Sequence, residues 1–89
     1  MNNIDYNYNC VGCFRVMASN PRWRIFQYLK DFGKKTAVSK LVKLVGLKQP
    51  TVSFHLNKLF KEGFIKRQKS GREVYCQIHK KCDDCPLYR

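Results

Sequence analysis

The chain has 89 residues, 44% of them hydrophobic, and 18 Lys and Arg against six Asp and Glu give it a formal net charge of +12 at pH 7. This is the length of one small domain with enough apolar mass for a core, which excludes a disordered composition. No apolar run approaches the roughly 20 residues of a membrane span, and "MNNIDYNYNC" has neither the basic nor the apolar part of a secretory signal, so an intracellular, cytoplasmic protein with no membrane partner is expected.

Residues 1–9, rich in Asn and Tyr, read as an N-terminal arm. From Cys10, "CVGCFRVMA" reads as a short helix after a turn, with Val11, Phe14, Met17 and Ala18 on one stripe. "SNP" stops it. Ser19 or Asn20 can cap the next helix, and Pro21 suits a first turn, where its missing N–H costs nothing. In "PRWRIFQYLKDFG", Trp23, Phe26 and Leu29, with Ile25 and Phe32 beside them, form the inward face, and Gly33 ends the helix. Thr36 is placed to cap "AVSKLVKLVG", whose buried face is Val38, Leu41, Val42 and Val45. The short turn "GLK" leads into "QPTVSFHLNKLFKEG", where Val52, Leu56, Leu59 and Phe60 make a buried stripe ahead of Gly63.

The period then changes to two. "FIKRQKSGREVYCQIH" alternates about a Ser70-Gly71 turn, with Val74, Cys76 and Ile78 on one face and Tyr75, Gln77 and His79 on the other. Cys76 is expected to be a buried, inert thiol, and His79 a surface residue at a strand end. The fold class is therefore mainly α with a small β-hairpin: a winged helix-turn-helix of four helices plus a two-stranded wing, over residues 10–79, followed by a tail at 80–89.

Charge and fold point to the same partner. Between Asp31 and Glu62 there is no acid, while Lys34, Lys35, Lys40, Lys43, Lys48, Lys58 and Lys61 fall there. Such a field draws polyanions, and double-stranded DNA is the expected partner. The helix-turn-helix pairs residues 36–45 with 49–62. The second helix fits the major groove, where base edges are distinguishable. The residues off its buried stripe are the candidate contacts: Gln49, Thr51, Ser53, Phe54, His55, Asn57 and Lys58. Gln and Asn can bond adenine bidentately, and Lys58 at the far end suits phosphate. For Phe54, packing against the wing or a neighbouring helix is favoured over contact with a thymine methyl. A bare solvated helix face, or an architectural protein that binds nucleic acid by charge alone, are the rival readings. There is no Ser/His/Asp set, carboxylate pair or phosphate loop, so neither an enzyme nor a small-molecule substrate is expected.

The segment "GLKQPTVSFHLNKLFKEGFIKRQKSGREVYCQI" resembles the ArsR-type family of winged helix-turn-helix repressors. The resemblance rests on Gln49-Pro50-Thr51-Val52-Ser53, His55-Leu56, Leu59, Gly63 and the wing "SGREVYCQI", with "SNPRWRIFQYL" matching more loosely. It implies a homodimeric DNA-binding transcriptional regulator, in many members released by metal. It also implies groove contacts by Gln49, Thr51, Ser53 and His55, and minor-groove or backbone contacts by Arg67, Lys69 and Arg72. The residue chemistry agrees, because Arg67, Lys69 and Arg72 are cations on a hairpin. The chain departs from the family in three places. "AVSKLVKLV" carries no Cys, His, Asp or Glu where arsenic sensors hold metal, the family's C-terminal helix is not seen after the wing, and Lys48 stands where a capping Ser is usual.

The cysteines form two pairs, Cys10-Val11-Gly12-Cys13 and Cys82-Asp83-Asp84-Cys85. Each pair can give two thiolates to one ion, and two pairs complete the tetrahedral four-sulfur set that zinc favours. The leading expectation is one structural zinc per chain held by Cys10, Cys13, Cys82 and Cys85, with Gly12 letting the first pair turn. The resemblance places the first helix and the segment after the wing on one side of the fold, which lets the ends meet. A metal- or redox-responsive switch, disulfides and an iron–sulfur cluster are the alternatives.

Overall fold

The structure, a computed structural model, describes residues 8–79 and 86–88. In chain order these form α1 (Tyr8–Met17), α2 (Asn20–Phe32), β1 (Thr36–Ala37), α3 (Val38–Val45), α4 (Gln49–Lys61), β2 (Ile65–Ser70), β3 (Glu73–Ile78) and a 3₁₀ turn (Pro86–Tyr88). Among the described residues no helix is long and apolar enough to cross a membrane.

Helix α1 begins at Tyr8, two residues before Cys10, so Gly12 lies inside a helix and not in the expected turn. Its φ is not positive, and a Cβ built on it meets nothing within 4 Å. Glycine in a helix interior costs about 1 kcal/mol relative to alanine. Gly12→Ala is therefore expected to stabilise the protein by about 0.5–1 kcal/mol, read as a higher denaturant midpoint. A lower midpoint would show that "CVGC" needs a bend.

Helix α2 starts at an N-cap Ser19 in extended backbone, with no side-chain cap bond; the Ser19 carbonyl accepts the Trp23 N–H at 2.8 Å. It stops at Gly33, which takes φ 73° and donates its N–H to the Leu29 carbonyl at 2.9 Å. Ile25, Phe26 and Leu29 are fully buried. Trp23 and Phe32, expected on the inward face, are 39% and 41% exposed. The buried i, i+1, i+4 stripe runs through Ile25, Phe26 and Leu29, and these two rings fall to its sides. Trp23 leans on Phe26 at 6.0 Å, and Phe32 stacks on Tyr28 at 5.5 Å with the Lys40 ammonium 5.2 Å from its ring centre.

Thr36 does not cap α3. It is 2% exposed in β1, which pairs antiparallel with β3 (Thr36 opposite Cys76, Ala37 opposite Tyr75), and the N-cap is Ala37. The sheet is therefore three-stranded, in the order β1-β3-β2, where a two-stranded wing was expected. The Ser70–Glu73 pair closes the hairpin, so the turn residues are Gly71, at φ 61°, and Arg72, one position on from the expected Ser70-Gly71. Cys76 is fully buried, and burial pushes its thiol up to about 11, with Arg67 partly opposing. It stays protonated at neutral pH, the inert thiol expected from its strand position.

The core gathers Cys13, Met17, Ile25, Phe26, Leu29, Leu41, Val52, Leu56, Leu59, Phe64 and Cys76. Leu87 and Tyr88 from the tail pack against it. The Tyr88 ring sits edge-on to Phe26 at 5.2 Å and beside Phe64 at 6.2 Å, and its hydroxyl donates to the His79 carbonyl. Phe26 meets Phe64 edge-on at 5.5 Å. The segment that follows Cys85 is thus seated on the cluster that contains Cys13.

Candidate nucleic-acid interface

Helix α4 buries Val52, Leu56 and Leu59 and so fixes where its other residues point. Phe60, expected on the buried stripe, is 40% exposed, and the Arg67 guanidinium of β2 covers its ring at 3.9 Å. That contact ties the wing to the helix end. The helix starts at an N-cap Lys48 with no side-chain cap bond, in keeping with the missing capping Ser, and Pro50 lies in its first turn.

The expected contacts divide into three groups. Gln49 and Ser53 face the wing. They line a cavity of about 150 Å³ with Val38, Leu56, Arg67, Arg72, Glu73 and Val74, so two of the expected readers and two wing cations share one cleft. Glu73 is the acid in that cleft. Its carboxylate accepts from the Ser39 hydroxyl of α3 at 3.2 Å and from the Val74 N–H at 3.2 Å, which ties the turn end of the wing to α3. Lys35, next to β1, donates to Gln68 of the wing at 3.1 Å. Lys69 and Arg72 are exposed close to the turn at Gly71.

The second group is the outer face of α4. Thr51, Phe54 and Lys58 are exposed, and Asn57 is half-buried. Phe54 is 54% exposed, which corrects the expectation that it packs on the wing or a neighbouring helix. Its ring partners are on α4: the Lys58 ammonium lies 5.3 Å from the ring centre, and the His55 ring is edge-on at 5.6 Å. The physical reason is its angular position, since the residue two beyond Val52 and two before Leu56 lies opposite the buried stripe. Lys61, not among the expected contacts, is exposed on the same side.

His55 forms the third group. It is half-buried, and its Nδ1 is buried without a hydrogen-bond partner, as is the Nε of Arg22 in α2. Burial first, then the Arg22 charge, holds its pKa below 6.5. His55 is therefore mainly neutral at pH 7 and sits towards α2. Arg24, also on α2, donates to the Leu44 carbonyl at 3.0 Å and ties α2 to the end of α3. The sequence did not single out Arg22 or Arg24, because long-range pairings between helices leave no local pattern.

Of the four expected zinc ligands, Cys13 is described, and it is 8% exposed within the core cluster. Cys82 and Cys85, and the side chain of Cys10, lie outside the described residues. Among the described residues no three metal-binding side chains cluster. Cys10 and Cys13 stand three positions apart in α1.

Comparison with known proteins bears on this geometry. No curated sequence matches the chain. Among solved structures, HlyU from Vibrio cholerae superposes with a TM-score of 0.78 at 24% identity, over 88% of this chain and 84% of that one. A homodimeric winged helix-turn-helix DNA-binding domain from Mycobacterium bovis gives 0.69 at 21%, over 79% and 63%. The antimony-specific transcriptional repressor AntR gives 0.71 at 27%, over 80% and 63%. These likenesses show the winged helix-turn-helix fold. The family model for bacterial regulatory proteins of the ArsR family matches residues 20–67, from the start of α2 into the wing and more than half of the chain. The chain belongs to the ArsR family of bacterial transcriptional regulators.

Proposed function

We propose that the protein is a dimeric repressor that reads a specific double-stranded DNA sequence with α4 and grips the flanking backbone with its wing. The observation that carries the reading is the shared cleft: Gln49 and Ser53 stand beside Arg67 and Arg72, with Phe54, Lys58 and Lys61 continuing the exposed surface. Donors and acceptors next to cations are what base edges and phosphates need together. The family match supports DNA as the partner. The homodimeric Mycobacterium bovis domain supports a dimer, and AntR, a repressor, supports repression.

Two variants separate the roles. Gln49→Ala is expected to cost about 1–3 kcal/mol at one base position and relax specificity there. Arg72→Ala is expected to weaken all duplexes alike and lower the salt slope by about one. Titrations against matched and mismatched duplexes at several salt concentrations read both. A Gln49 variant with unchanged base preference would remove this residue from the reading surface.

The proposal includes one structural zinc per chain, held by Cys10, Cys13, Cys82 and Cys85. Bound zinc would supply folding free energy and no chemistry on DNA. Two observations support the fit: Cys13 is buried in the core, and Leu87 and Tyr88, just after Cys85 in sequence, pack on the same cluster. A role in sensing is the second reading, and removal of the metal distinguishes the two.

A further inference from the structure

We propose that Phe54 reads the C5-methyl group of a thymine in the bound half-site. The inference rests on the proposed DNA reading and names what one residue of that surface recognises. Among the described residues, Phe54 is the most exposed of the large hydrophobic side chains, at 54%, against 41% for Phe14 and Phe32, 40% for Phe60 and 39% for Trp23. Trp23 leans on Phe26, Phe32 stacks on Tyr28, and Phe60 lies under Arg67, each a residue in contact with another ring or a guanidinium. The ring contacts of Phe54 are with Lys58 and His55 of its own helix, and its position opposite the buried Val52, Leu56 and Leu59 aims it away from the core.

An exposed aromatic ring costs free energy in water, and covering its free face with an apolar group recovers that cost. The major groove presents one apolar group on its base edges, the thymine methyl. Phe54 stands midway along α4, between Gln49 and Ser53 on the wing side and Lys58 one turn on. The Lys58 ammonium, seated on the Phe54 ring, is a cation–π pair that limits the ring's rotamers and leaves the charge free to meet phosphate. A ring held this way is a preformed contact for a methyl group and gives nothing to the polar edges of the other bases.

Uracil lacks only that methyl, so replacing thymine by uracil in a selected duplex, one position at a time, isolates the contact. Burial of one methyl is worth about 0.8 kcal/mol, so wild-type protein is expected to lose about fourfold in affinity at one thymine per half-site. Phe54→Ala is expected to lose the uracil effect at that position while keeping the response at other bases. Phe54→Leu, which keeps an apolar tip, should retain part of it and serves as the folding control. A wild-type response that is equal at every thymine, or a Phe54→Ala protein that still senses the same methyl, overturns the proposal. Wild-type protein that prefers no duplex at all overturns it together with the DNA reading, so the two failures are distinguishable.

Discussion

Stripping metal from the purified, reduced protein with a strong chelator at neutral pH is expected to unfold it. Structural zinc in small domains contributes about 10–16 kcal/mol of apparent folding free energy, whereas a whole domain is stable by only about 5–15 kcal/mol. If four thiolates clasp both ends of this chain, little is left without the ion. Cys13 is the described member of the set and belongs to the same core cluster as Phe26 and Leu29, with Leu87 and Tyr88 packed against it. Circular dichroism before and after chelation reads the loss of helix, and native mass spectrometry of the untreated protein is expected to show one zinc per chain. Cys13→Ser is expected to lose the metal, whereas Cys76→Ala, on the buried face of β3, should keep it. An intact fold with altered DNA affinity after chelation makes the cysteines a sensor. A metal-free chain lighter by four hydrogens on oxidation makes them disulfides.

Phe26→Ala is expected to cost about 3–5 kcal/mol, the range for removing a large ring from a closed core. Phe26 is fully buried and meets two rings edge-on, Phe64 at 5.5 Å and Tyr88 at 5.2 Å. Its loss leaves a cavity and also frees Tyr88, the contact that seats the tail. Urea unfolding measures the cost, and limited proteolysis near the C-terminus is expected to accelerate in the same variant. A loss under about 1 kcal/mol would mean that this ring cluster does not organise the core.

The long helices were legible because their apolar residues recur with helical period over about two turns or more. Ile25, Phe26 and Leu29, and Val52, Leu56 and Leu59, are buried as that period predicts. Trp23, Phe32 and Phe60 were over-assigned: a large apolar ring at the margin of a stripe can rest on a neighbouring ring or cation and stay partly in water. Strand β1 has two residues, too few to show a period, and exists because β3 offers it an edge. The same pairing takes Thr36 out of its expected capping role. Gly71 signalled the hairpin, but the register of β2 on β3 set which residues make the turn. In the candidate site, Gln49, Ser53, Arg67 and Arg72 were nameable from residue type and spacing. Their convergence on one cleft depends on tertiary packing that no local pattern encodes. The setting of His55 beside Arg22, and the docking of Tyr88, belong to the same class of long-range contact.

Selection of bound duplexes from a random pool, with wild-type protein and with a Gln49→Ala, Ser53→Ala double variant, tests the central claim most directly. The wild type is expected to enrich an inverted repeat with half-sites about one helical turn apart, and the double variant to lose that sequence while still retaining DNA by charge. An unchanged consensus from the double variant, or no consensus from the wild type, would contradict base reading by α4.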